Sequence, residues 1–415
     1  MIPSKDSAFR TPFKNLRAFA AVSAVSILSL LTPRAEAAAV VSDGSDGPFN
    51  PTFSQPITLP PNGVKNFTTI NIPTNVTIWF IGNTTNTPAF LAATGDVVIA
   101  GTLDLNARHY FNEHSAGGEF GGAAGVGDVA GQNGFGPGGG TGGPVAVYAI
   151  DGSGQGNAGG GGGMARAGLT ATNRTGNSPG PGHARITRPV LTPGVAGGGG
   201  SGGGGGCGLV VNTIPVSGGA GGAGGGAIQI STPGKITFSG SILVNGGHAG
   251  AAYANGFSNH AGPGGGGAGG NIEVYADTVE FNHGHIEAIG GFGGGLSFEP
   301  VPFDPALYQC GATGGRGYLH VEANHIVIDS ATVLDTDGNV IRPAFTGISK
   351  TGGSLVFTGT GATNHTFEIL SSTNLLTTTT NWLPVLTNLF NASGEFTVTN
   401  AYPGEFQRYY LLRSQ

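Results

Sequence analysis

Three short stretches of alternating apolar residues closed by a glycine-rich loop recur three times between residues 225 and 338, and this constrains the chain more than any other feature. The copies read GGAIQISTPGKITFSGSILVNGG from Gly225, GGNIEVYADTVEFNHGHIEAIGG from Gly269 and GGRGYLHVEANHIVIDSATVLDTDG from Gly314. The equivalent glycines Gly226, Gly270 and Gly317 are 44 and then 47 residues apart. One such unit cannot bury its own apolar face, so it has to stack on its neighbours.

A period of two marks strands whose alternate side chains face opposite sides. On that rule Ile228, Ile230, Ile236, Phe238, Ile242 and Val244 point inward in the first copy. Ile272, Val274, Val279, Phe281, Ile286 and Ala288 do so in the second, and Leu319, Val321, Ile326, Ile328 and Val333 in the third. Gly, Pro-Gly or Asn separates the three strands of each unit and supplies the bends that corners need. An earlier copy, LAATGDVVIAGTLDLNAR from Leu91 to Arg108, aligns Val97, Ile99, Leu103 and Leu105 with that pattern, and FTTINIPTNVTIWFIGN from Phe67 makes a capping turn before it. PVAVYA, from Pro144 to Ala149, is similar to NIEVYA and reads as a partial rung. The expected fold is therefore all-β: a right-handed parallel β-helix over 63–344 with Gly-rich loops.

Beyond Phe345 glycine thins, and SLVFTGT, HTFEILSST, NWLPVLT, GEFTVTNA and RYYLLRSQ give strand signals separated by turns. Residues 345–415 are expected to form a small β-sandwich around Trp382, Phe396, Tyr409 and Tyr410. At the other end Lys5, Arg10, Lys14 and Arg17 precede an apolar stretch, Ala18 to Leu31, and then Ala35-Glu36-Ala37. This is the pattern of a secretory signal over 1–37, with cleavage after Ala37 or Ala39, followed by a linker over 38–62. No later stretch reaches about 18 apolar residues, so no membrane span is expected after the signal, and a secreted or cell-surface location follows.

Glycine accounts for 81 of 415 residues, and only 10% are charged. The Gly tracts Ala116 to Gly143, Gly152 to Gly163 and Ala196 to Gly208 read first as flexible loops. The alternative packs them as extended threefold polyglycine helices, which only residues without a Cβ allow. A net charge of −6 leaves no basic footprint for nucleic acid. Cys207 and Cys310 are too few for a disulfide framework; they either pair in an oxidising compartment or remain separate thiols.

The NFTTINIPTNVTIWFIGN start, the LAATGDVVIAGTLDL rung and the GGGGAGGNIEVYADTVEF rung resemble the glycine-rich parallel β-helix proteins exported by many bacteria. The FEILSSTNL, NWLPVL, GEFTVTN and RYYLLR segments are similar to a small β-sandwich found at the C-termini of such proteins. The resemblance implies a fold and an extracellular address and says little about activity. The GGxGxDxUx calcium-roll pattern is absent from the sequence.

Four groups of residues bear on chemistry. His283, His285 and Glu287, spaced by two, project together if the segment is extended and serve acid–base work or a metal, whereas a turn at Gly284 scatters them as a solvated polar face. Gln229, Glu273 and His320 stack as an outward polar ladder, which is either structural or part of a carbohydrate-facing surface. Asp335 and Asp337 suit a pair of carboxylates, as in a glycoside hydrolase or Ca²⁺ site, though Asp-Thr-Asp-Gly-Asn is also a good polar turn. Ser-Asp-Gly-Ser-Asp-Gly at 42–47, with Asp43, Gly44 and Asp46, reads as a turn or linker. Basic residues such as Lys235, Arg316 and Lys350 are isolated from acidic clusters in sequence, and no GxSxG or HExxH motif occurs. No catalytic residue, metal ligand or cofactor is assigned on these patterns. The expected role is a non-enzymatic structural or adhesion protein whose partners are extracellular polysaccharide or cell-surface components. A polysaccharide lyase or glycoside hydrolase on the same scaffold is the alternative, and a glycan- or ice-binding surface is the second alternative.

Overall fold

A computed structural model describes residues 39–80, 83–107, 115–148, 154–171, 180–252, 254–255, 259–295, 311–328, 333–341, 344–360, 366–374, 382–391, 395–401 and 408–414. The signal-like segment 1–37 and Cys310 lie outside these residues. Every element among the described residues is a strand, and parallel pairing dominates up to residue 341.

Equivalent strands of the repeats pair side by side in register. Ile230 lies beside Val274 and Val274 beside Val321; Ile236 lies between Val97 and Val279; Ile242 lies between Leu103 and Ile286. Three stacks of parallel strands result, and their inward side chains form one buried core that includes Ile72, Leu91, Ile99, Ile228, Phe238, Val274, Phe281 and Val321. Phe238 and Phe281 stack with ring centroids 5.1 Å apart, one rung above the other. Each strand thus satisfies its backbone groups through the units before and after it, and each unit supplies apolar area that none could bury alone.

Three details differ from the expected pattern. In the first copy the first and second strands, Ala227–Ser231 and Lys235–Phe238, are separate, whereas the second and third copies run straight through as Asn271–Phe281 and Tyr318–Ile328. Pro233-Gly234 makes the break, because proline has no N–H to give to the ladder; Ala276-Asp277 and Ala323-Asn324 have no such block. The segment expected as a linker also contributes a strand, Gln55–Ile57, paired with Thr77–Phe80. Finally, the described part of the expected partial rung, 144–148, is no rung: Val147–Tyr148 pairs antiparallel with Gly154–Gln155 in a separate small sheet.

Among the described residues the glycine tracts 116–143, 154–163 and 196–208 are held by backbone hydrogen bonds, which corrects the flexible-loop reading. Residues 199–208 are buried without forming a strand, and none of their glycines has positive φ. Gly200, Gly203 and Gly206 donate to Gly225, Gly222 and Gly219; Gly202, Gly205 and Gly208 donate to Phe135, Gln132 and Val129; Gly204 and Cys207 donate to Gly160 and Asn157. The carbonyls of the same run accept from Glu119, Gly122 and Gly125, from Gly140 and Gly143, and from Gly262, Gly265 and Ala268. Bond direction rotates with a period of three, as in a polyproline II type helix, so the run is tied to neighbours on six sides. The runs 156–164 and 262–269 are surrounded in the same way.

From 344 onward the chain forms two three-stranded antiparallel sheets. Phe357 from one sheet and Phe367 and Ile369 from the other meet in one core with Leu355, Phe390, Phe396 and Leu412. Of the aromatics expected there, Phe396 is buried and Tyr410 packs partly buried against it.

A Cβ added at Gly206 would lie 1.8 Å from the Gly262 carbonyl oxygen, and one at Gly353 would meet nothing within 4 Å. Gly206→Ala is therefore expected to lower unfolding stability by about 3 kcal/mol, the upper range of overpacking costs. Gly353→Ala should change it by less than about 0.5 kcal/mol, as an open surface substitution does; thermal unfolding followed by circular dichroism measures both.

Candidate functional site

A gathering of buried polar side chains lies on the outer face of the first strand stack. Alternation turns Ile228 and Ile230 to the core, so Ala227, Gln229 and Ser231 face away from it, and register sets them beside Asn271, Glu273 and Tyr275 and then Tyr318, His320 and Glu322. The Gln229, Glu273 and His320 ladder read from the sequence is thus real. It does not face solvent: Gln229 and Glu273 are fully buried and His320 is 3% exposed.

Two segments cover it. Residues 185–191, Arg-Ile-Thr-Arg-Pro-Val-Leu, cross the face as a strap. The Tyr318 hydroxyl donates to the Ile186 carbonyl at 2.6 Å, Arg188 Nη1 donates to Glu273 Oε1, and Asn271 Nδ2 donates to the Pro189 carbonyl at 3.0 Å. Leu191 is buried against Phe90 and Ala227. The second cover is the N-terminal arm, where the Val40 amide donates to Gln229 Oε1 at 2.8 Å and the Ser231 hydroxyl donates to the Val40 carbonyl.

Beneath these covers Glu273 Oε2 accepts from Gln229 Nε2 at 3.1 Å and from the Tyr275 hydroxyl at 3.5 Å. His320 Nε2 lies 3.4 Å from Glu322 Oε2, and its ring lies 5.7 Å from that of Tyr275. Burial pushes the Glu273 carboxyl above its ordinary value, opposed by the Arg188 guanidinium, the Gln229 amide and His320. Burial also raises the Tyr275 hydroxyl, with the Glu273 charge acting in the same direction. A carboxylate held this way binds a cation or hydrogen-bond donors tightly, and here the chain itself supplies them.

The other candidates separate. His283 occupies a left-handed turn at φ 61°, outside the strand His285–Glu287. His285 and Glu287 share one face with Nε2 and Oε2 3.9 Å apart and remain partly exposed, so the pair survives and the triad does not. Asp335 ends the strand Val333–Asp335 beside Glu287, whereas Asp337 begins the next strand beside Tyr318, so a bend divides them. Lys235 is paired with Glu280 at 2.8 Å. Asp43 caps a turn by accepting from the Ser45 amide, and Asp46 accepts from the Asn66 amide at 2.7 Å, so this segment is tied down. Cys207 is a fully buried thiol whose sulfur accepts from the Asn157 amide at 2.8 Å, and burial raises its pKa. Among the described residues no three His, Cys, Asp or Glu side chains are placed to hold a metal ion.

Sequence reasoning found the ladder and missed its lid. The available signal was a stretch free of glycine, HARITRPVLTP from His183 to Pro193, set between glycine tracts and carrying two of the chain's 17 basic residues.

Arg188→Met leaves Glu273 buried without its cation, and breaking a buried pair in this way costs roughly 3–5 kcal/mol at neutral pH. The folded Glu273 value lies above the unfolded one, so its protonation favours the folded chain below about 4.5, and that gain is lost as pH rises through the folded value. Denaturant midpoints should therefore fall more for Arg188→Met at pH 7.5 than at pH 4.5; an equal loss at both would contradict the assignment. No protein-family model, curated protein or solved structure matches this chain.

Proposed function

We propose that the chain is an exported, non-enzymatic structural or adhesion protein, a right-handed parallel β-helix braced by a polyglycine bundle and followed by a β-sandwich, holding to extracellular polysaccharide or cell-surface components. The observation that carries this reading is the use of polar chemistry. The buried polar cluster around Glu273 is sealed by the chain's own residues, and its hydrogen bonds are spent on holding the strap and the N-terminal arm. Rigidity is what such an arrangement delivers. Parallel strands locked in register and glycine helices tied on six sides make a wall with little freedom to close around a substrate.

A polysaccharide-active enzyme is the second reading, favoured by one observation: His285 and Glu287 stand 3.9 Å apart on a partly exposed strand face. An imidazole beside a carboxylate is suited to proton transfer.

One experiment separates the two. The chain is incubated with a panel of insoluble polysaccharides, and both retained protein and released reducing or unsaturated ends are measured. Retention without product release is expected, and His285→Ala should leave retention unchanged; product release abolished by His285→Ala or Glu287→Gln would replace the structural reading with the enzymatic one.

A further inference from the structure

We propose that the outer face of the first strand stack is a recognition groove for an extended Arg-Pro-x-Leu segment, filled in cis by residues 185–191 and exchangeable with the same segment of a second copy. The strap is held as a ligand is held. Among the described residues no backbone-to-backbone hydrogen bond is made by the stretch from Thr187 to Leu191, and the sheet reaches it through side chains.

Each contact reads a different feature of the segment. Glu273, fully buried, takes the Arg188 guanidinium, and Gln229 and Tyr275 hold the second oxygen of that carboxylate. A buried carboxylate fixed on one side selects a planar, multidentate cation on the other. Asn271 donates to the carbonyl of Pro189 and Tyr318 to that of Ile186, with Arg185 Nε 3.5 Å from the same hydroxyl. These are carbonyl contacts that an extended backbone presents without strand pairing. Pro189 suits that conformation, since its ring fixes φ and it brings no N–H that would need a partner. Leu191 enters an apolar pocket made by Phe90 and Ala227, with Val40 and Val64 packed beside it. Spacing, charge and shape are thus all specified by residues of five adjacent strands and the N-terminal arm.

Because the contacts are local to the strap, a second copy's strap meets the same groove with the same chemistry once the first has left. Exchange between copies would link chains without any new surface. This proposal deepens the structural reading above by naming a partner, yet its test uses neither polysaccharide nor product release, so either idea fails separately.

The probe is a fluorescein-labelled peptide spanning 184–193, added to the full-length chain and followed by anisotropy. Arg188→Ala/Leu191→Ala in the chain weakens the resident strap, and this variant should bind the peptide at least tenfold more tightly than the unaltered chain. Alanine in place of the peptide arginine, or Glu273→Gln in the same variant, should remove at least tenfold of that affinity. In the unaltered chain, hydrogen exchange of the 186–191 amides should quicken at least threefold when excess unlabelled peptide is present, a readout that needs no variant to fold. Sedimentation velocity of the unaltered chain should show a dimer that grows with concentration and is dispersed by the peptide. Absence of binding by a variant that retains the parent circular dichroism spectrum, or strap exchange indifferent to peptide, overturns the groove; peptide binding with a concentration-independent monomer overturns exchange between copies.

Discussion

Backbone hydrogen bonding without side chains is the constraint on which the rest of this architecture depends. In the run 199–208 successive amides point in three directions about the helix axis, and those of residues 199, 200 and 202–208 find carbonyls of other tracts. Neighbours approach so closely that a Cβ at Gly224 would lie 1.7 Å from the Gly200 carbonyl oxygen, and one at Gly206 1.8 Å from that of Gly262. Glycine is disfavoured in ordinary elements because it loses so much freedom on folding. Here that loss is offset by buried amides and carbonyls that are met on all sides, whereas an unmet buried group would cost about 1–3 kcal/mol each.

The strand stacks solve the complementary problem. Their side chains are large and apolar, and the in-register columns of Ile, Val and Phe bury surface from several units in one core. The two halves join where strands run directly out of glycine tracts, at Gly226 into Ala227, at Gly270 into Asn271 and at Gly317 into Tyr318. A change of residue type therefore switches one packing mode to the other within a single residue, with no hinge between them. The polar grid sits beside this junction, and a strap drawn from between two glycine tracts closes it.

Much of this was legible in the sequence, for a definite reason. Alternation of Ile228, Ile230, Ile236 and Phe238 has only one physical meaning when it repeats at a near-constant interval, so strand identity, register and core followed together. Glycine tracts carry no such pattern, since the residues that define their contacts have no side chains to compare. The cue lay in the exceptions: Phe120 and Ala123, three residues apart, lie opposite Phe135 and Gln132, on a tract edge where side chains have room. The outward placement of Glu273 was predictable from alternation, but its burial was not, because nothing local to Glu273 says that Arg188, 85 residues earlier, lies across it. His283 shows the opposite case, in which the glycine next to it was enough to anticipate the turn.

The tracts around residues 199–208 come from 119–125, 129–135, 140–143, 157–160, 219–225 and 262–268. This helix is thus made before two of its six partners exist, if the chain is delivered from its N-terminus onward. Until residue 268 has emerged, that helix carries open donors and acceptors on two sides, and it cannot hold a finished shape. Native assembly is consequently a late, nearly simultaneous event with a high share of distant pairings, which makes it slow. A chain built this way gains little of its final bracing until nearly all of its glycine tracts are present together.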